Sequence, residues 1–183
     1  MTRDELEHAI RAACDVADDD EVWVFGSQAI LGQYENAPEE LRMSAEVDIA
    51  PVNELAKTIN IDANLGELSP FHQAYGFYVH GVSIDAAVLP RGWERRAKKV
   101  SNSNTRGKTG LCIEAHDLAV SKLVAFRAKD LEFVRVLLAA HLVSPRKVLL
   151  RIDQLTDNER APESHREVMR EWLTGIVRDL GRG

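Results

Sequence analysis

Apolar residues recur along the chain with two different periods. Leu6, Ile10, Ala13 and Val16 form a helical stripe, Thr2 can cap it, and Asp4 and Glu5 suit its first turn, so residues 2–18 are predicted to be helical. Residues 22–25 are a compact apolar run ending at Gly26, a buried strand, after which Ser27 opens a second helix to about Tyr34. A polar stretch with Pro38 reads as loop, residues 47–51 as a short strand and 53–60 as helix. Residues 77–80, Gly81 and residues 82–89 read as a hairpin that turns at His80-Gly81 and ends at Pro90. Residues 111–114 form a further strand. Asp117 caps a helix that buries Leu118, Leu123, Val124 and Phe126. Helical periodicity then runs through 131–141, 145–155 and 163–180, with Val168, Trp172, Leu173 and Ile176 on the apolar face of the last segment.

The front of the chain thus mixes strands and helices, and the back is all helix. This predicts an α+β fold: a small mixed or antiparallel sheet flanked by helices, spanning 1–115, with a helical C-terminal region, 116–183, packed on it. A length of 183 residues suits that size, and 45% hydrophobic and 28% charged residues exclude disorder and disulfide scaffolds. Cys14 and Cys112 lie in no zinc-type spacing and read as free thiols. No apolar run is long enough to span a membrane, and the charged first residues are unlike a signal peptide, so a cytoplasmic protein is expected.

The net charge of −6 argues against a surface uniformly coated for nucleic acid, but it hides an asymmetry. Arg91, Arg95, Arg96, Lys98, Lys99, Arg106 and Lys108 stand together with one acid, Glu94. Arg95, Arg96, Lys98 and Lys99 are followed by the small polar run 101–105, a mixture suited to phosphates, although a solvated loop is the commonest fate of such a segment.

The candidate chemistry begins with Gly26-Ser27 at a strand-to-helix junction, where a glycine allows close backbone approach and N–H groups can face a phosphate. Glu46 and Asp48 are two apart on a predicted strand, so they project to one face. Two carboxylates held this close repel, and a hard dication such as Mg²⁺ resolves the repulsion. Asp85 stands in the middle of the predicted strand 82–89, where an acid needs a partner. Each feature alone has a plain structural reading: an exposed strand, a turn with Ser27 as cap, a hairpin residue. In this order they describe metal-assisted nucleotidyl transfer.

Val24-Phe25-Gly26-Ser27, the acid-x-acid strand and a third acid further on resemble the polymerase-beta-type nucleotidyltransferase superfamily. Downstream, Ala115-His116-Asp117-Leu118 and Lys122-Leu123-Val124-Ala125-Phe126-Arg127-Ala128-Lys129-Asp130 resemble the helix pair of AbiEii/MenT-like toxin nucleotidyltransferases and their uncharacterised relatives. The resemblance covers roughly residues 20–140. It implies a nucleoside triphosphate held by Gly26 and Ser27 and Mg²⁺ held by Glu46 and Asp48, with Asp85 as third ligand or general base. It further implies that Lys122 contacts nucleotide phosphates and that Asp130 belongs to a distal catalytic motif. Arg95 and Lys98 would add phosphate contacts. The implied role is a toxin-antitoxin-type enzyme adding nucleotides to the 3′ end of tRNA, with a cognate antitoxin as partner. Transfer to a small molecule or protein is the alternative within the class. The long 28–45 gap and a glutamate first in the acid pair also leave open a non-catalytic domain that binds a nucleotide or a partner.

Overall fold

The computed structural model describes residues 1–156 and 158–181, so residue 157 and the last two residues of the expected C-terminal region lie outside it. The fold class is the expected one: an open, mixed five-stranded sheet with helices, and a helical C-terminal part. The chain divides into two compact units, residues 1–87 with 96–114, and residues 88–95 with 115–183.

The first unit begins with helix α1 (Arg3–Ala17), which is held at its start by a reciprocal capping box between Thr2 and Glu5. Strands β1 (Glu21–Phe25), β2 (Glu46–Pro51), β3 (Tyr78–Gly81), β4 (Lys98–Val100) and β5 (Thr109–Cys112) lie in the order β3-β2-β1-β5-β4. β1 pairs antiparallel with β2 and parallel with β5; β3 is parallel to β2, and β4 is antiparallel to β5. Alternation gives the sheet two unlike faces. Val22, Val24, Val47, Ile49 and Val79 are fully or almost fully buried, as are Leu6, Ile10 and Ala13 of α1 and Ile61 of α2 (Thr58–Leu65). The other face carries Glu46 and Asp48 on β2, Tyr78 and His80 on β3, and Trp23 on β1, all only partly buried.

Several expectations need correction. Ser27–Gly32 is a 3-10 turn, not an α-helix. The 77–89 hairpin does not form: β3 ends at Gly81 and pairs in parallel with β2. Gly81 is required by packing, since a Cβ there would stand 2.4 Å from the Thr58 carbonyl and 2.6 Å from the Asp62 N–H at α2. Beyond it, the Ser83 hydroxyl accepts from the Asp85 N–H and folds 84–86 into a 3-10 turn. Asp85 is therefore on an exposed turn and not inside a strand. A short helix missed in the sequence, α3 (Pro70–Tyr75), is capped by Ser69 and ended by Gly76 with φ +75°.

The second unit contains α4 (Ala115–Ala125), α5 (Ala128–Ala139), α6 (Pro145–Ile152) and α7 (Glu163–Leu180). α4 is central, meeting α5, α6 and α7. Asp117 is not its cap, because the helix begins two residues earlier; it is fully buried and paired with Arg151 of α6 at 3.2 Å. On α7 the buried stripe is Arg166, Met169 and Leu173, while Val168 is 43% exposed. The Arg166 guanidinium donates to the Ala161 and Thr156 carbonyls, which satisfies its burial.

Candidate active site

The register of the sheet places Asp48 opposite Phe25 on one side and His80 on the other. Just past Phe25, Gly26 has φ +67°, a left-handed conformation that only glycine adopts at little cost. A Cβ at Gly26 would lie 1.9 Å from Asp48 Oδ2, so the backbone of the Gly-Ser turn rests directly against the carboxylate. Ser27 follows at the first position of the 3-10 turn. The 28–45 segment that lengthens the gap to Glu46 is folded, with Ala29, Ile30, Leu31 and Leu41 buried.

Three donor atoms converge on the other side of Asp48. His80 Nδ1 lies 2.9 Å from Asp48 Oδ1 and 3.3 Å from Glu46 Oε1. A ligand atom from each of the three residues lies within 4.8 Å of the other two, as a metal ion would require. The Tyr78 hydroxyl donates to Glu46 Oε2 at 2.8 Å, which orients that carboxylate and leaves Oε1 facing the histidine. The electrostatics match the crowding. Burial pushes the Asp48 carboxyl above its ordinary value, and the Glu46 charge adds to this against the His80 hydrogen bond. Burial alone would lower the His80 imidazole; the hydrogen bond to Asp48 and the charges of Asp48, Glu46 and Asp62 outweigh it and raise it. Asp48 and His80 are thus both shifted toward holding a proton, the behaviour of a site short of positive charge. Burial and donation to Glu46 push Tyr78 up to about 12. A cavity of about 310 Å³ opens here, lined by Glu46, Asp62, Glu67, Tyr78 and His80. The donor set fits a divalent cation, and the bare Gly26 backbone beside it fits a phosphate-bearing ligand.

Of the expected site residues, Gly26, Ser27, Glu46 and Asp48 come together. Asp85 does not join the ligand group; its carboxylate accepts from Ser83 on the exposed turn. His80, read from sequence as a turn residue, takes a place in the group. Its signal was the alternation Tyr78-x-His80, which repeats the spacing of Glu46-x-Asp48 on the neighbouring strand. The basic segment is divided. Arg95 lies on a 3-10 turn (Trp93–Arg96) and belongs to the second unit, whereas Lys98 begins the edge strand β4 of the first. β4 is three strands from β2, about 14 Å at ordinary spacing, so Lys98 does not stand beside the carboxylate pair. The polar run after β4 is bound up in its own structure: the Asn102 and Asn104 amides both donate to Glu7 of α1 at 2.8 Å, and buried Thr105 donates to the Lys108 carbonyl. In the second unit, Lys122 and Asp130 face each other at 3.4 Å, and Arg127 donates to Asp130 at 2.6 Å. The two cysteines are buried, and burial pushes both thiols up to about 12, far from reactive.

An acid-x-acid strand thus stands against a left-handed glycine and a serine on an open mixed sheet. A family model described as "Nucleotidyltransferase of unknown function (DUF6036)" matches residues 4–171, and the chain belongs to that family. No curated protein and no solved structure matched the chain. Among the described residues, no helix is long and apolar enough to cross a membrane.

Proposed function

We propose that this protein transfers a nucleotidyl group from a nucleoside triphosphate to an acceptor hydroxyl, using a divalent cation held by Glu46 and Asp48. The observation that carries the reading is the contact of Gly26 with Asp48: the turn that would cradle phosphates touches the carboxylate that would hold the cation. When bound, the cation supplies positive charge for the phosphate oxygens and for the attacking and leaving oxygens. Gly26 and Ser27 offer the triphosphate a bare backbone and a hydroxyl, and Tyr78 fixes Glu46. The acceptor oxygen bonds to the α-phosphorus, the bond to pyrophosphate breaks, and the hydroxyl proton is released to base. By resemblance, Lys122 is assigned to phosphates and Asp130 to the distal catalytic motif; Arg95 and Lys98 are offered to phosphates by the charge of the basic segment alone. The proposed biological role is a toxin-antitoxin-type enzyme acting on the 3′ end of tRNA, countered by a cognate antitoxin; it rests on the resemblance of 115–130 alone. One observation favours the second reading, a small-molecule or protein acceptor: the cavity at the site is lined by Glu46, Asp62 and Glu67, a poor surround for an RNA backbone.

Incubation with each labelled triphosphate and a divalent cation, with and without total tRNA, tests both. Label on tRNA that is absent with Asp48→Ala supports the RNA acceptor. Label on protein or on a small acceptor selects the second reading. No transfer, with metal-independent nucleotide binding, leaves a non-catalytic domain. Unchanged tRNA labelling by an Arg95→Glu, Lys98→Glu double variant removes the basic segment from the site.

A further inference from the structure

We propose that His80 is a direct ligand of the cation, in the position the third carboxylate was expected to fill, and that the site consequently prefers first-row transition dications to Mg²⁺. The inference deepens the reading above and rests on the same carboxylate pair.

Geometry carries it. In an octahedral site with bonds of roughly 2.1 Å, adjacent donors stand about 3.0 Å apart. His80 Nδ1 is already 2.9 Å from Asp48 Oδ1 and 3.3 Å from Glu46 Oε1, so two edges match a triangular face of such a site, and the ligand atoms of all three residues lie within 4.8 Å of one another. The second oxygen of each carboxylate is occupied elsewhere: Asp48 Oδ2 faces Gly26, and Glu46 Oε2 accepts from Tyr78. The first oxygens are left to converge with the imidazole. All three donors are partly exposed, from His80 at 45% to Asp48 at 25%, so further positions can be taken by water and phosphate oxygens. Asp62 lines the same cavity as His80 and Glu46. The strand pairing fixes this arrangement, because Asp48 and His80 are direct partners across β2 and β3.

Donor chemistry then decides the ion. Three carboxylates favour hard ions such as Mg²⁺, whereas an imidazole suits the later first-row dications, iron, nickel, copper and zinc, with Mn²⁺ at the weak end of that series. Substituting one nitrogen donor for a carboxylate oxygen also removes a negative charge, which weakens the purely electrostatic hold on Mg²⁺.

The test is electron paramagnetic resonance on the whole chain with Mn²⁺ and no nucleotide. Stoichiometric Mn²⁺ should show hyperfine coupling to a directly bound nitrogen, and incorporation of ¹⁵N-histidine into the wild-type chain should shift that coupling. His80→Gln should abolish the coupling and weaken Mn²⁺ binding by about tenfold or more. Displacement of Mn²⁺ should need at least about ten times as much Mg²⁺, and His80→Asp should narrow that ratio. Bound Mn²⁺ without nitrogen coupling, displacement by Mg²⁺ at equal concentration, or unchanged affinity in a folded His80→Gln chain would each overturn the assignment. Nucleotide transfer is scored separately: transfer without nitrogen coupling defeats this inference and leaves the proposed function standing, and coupling without transfer does the reverse.

Discussion

The two units each hold a tight group of charged side chains, and the groups are built on opposite principles. On β2 and β3, Glu46 and Asp48 crowd together with His80 beside them, and Asp62 and Glu67 line the same cavity. All three cluster members are partly exposed. In the second unit, one carboxylate, Asp130, is 1% exposed and is met by both Lys122 and Arg127, with Lys122 also 5.3 Å from the Phe133 ring centre. The first group is left short of positive charge and open to solvent. The second is compensated from within, and its carboxylate is buried although Arg127 itself is largely exposed. An excess of like charge at an accessible place has no structural benefit, because repulsion and desolvation both oppose folding. A compensated and buried group is what stability alone would keep once the charges are in the core.

The sharpest way to break the comparison is Gly26→Ala. The new Cβ has no place to go, at 1.9 Å from Asp48 Oδ2, and φ +67° is strained for alanine. Displacing the carboxylate by about 1 Å should reduce transfer by about a hundredfold. The backbone strain should lower stability by about 1–2 kcal/mol. Retained transfer, measured with labelled triphosphate, would mean that the Gly-Ser turn is only a turn. Asp130→Asn probes the other side. Removing one partner of a buried ion group should cost about 3 kcal/mol in a denaturant titration. A variant that keeps its midpoint and loses transfer would instead move Asp130 into the chemistry and make the two groups alike.

The same contrast explains what was legible in the sequence. α1 with its Thr2 cap, β1, β2 and the carboxylate pair follow from local periodicity, and so does the α+β class. The alternation Tyr78-x-His80 puts His80 on a strand face, but its place beside Asp48 depends on β3 lying parallel to β2 in a register that sets the two opposite each other. Asp85 was misplaced for the converse reason. The apolar run around it imitates a strand, but the Ser83 hydroxyl offers a local hydrogen bond that the backbone takes instead. Similarly, the Asn102 and Asn104 amides looked available until α1 brought Glu7 against them, a contact nearly a hundred residues away in the chain.

A smaller effect separates function from stability at the open group. Asp48→Asn keeps the shape, removes the charge that crowds Glu46, and relieves part of the burial penalty on Asp48 itself. Without added metal, the thermal midpoint should stay level or rise by the equivalent of about 0.5–1 kcal/mol, while transfer is lost. A clear drop in midpoint would show that the carboxylate is there to hold the strands together.

The compensated group also has a pH signature of its own. Burial pushes the Asp130 carboxyl upward, but the Arg127 hydrogen bond and the Lys122 charge outweigh it and hold the group below its ordinary value. Between that lowered folded value and the unfolded value of about 4, the unfolded chain binds more protons than the folded one, so stability rises with pH across the interval. The contribution is complete above about pH 4–5 and is lost as pH falls through the folded value. Glu7 and Asp19 are lowered too and titrate in the same range, so the midpoint of the wild-type chain alone does not isolate Asp130. The difference between wild type and Asp130→Asn does. It should be constant from pH 7 to about 5 and shrink steadily below about 4, as the protonated acid comes to resemble the amide. A gap that persists unchanged at low pH would mean that the pairing with Arg127 and Lys122 does not stabilise the carboxylate form, and the distinction between the two groups would rest on exposure alone.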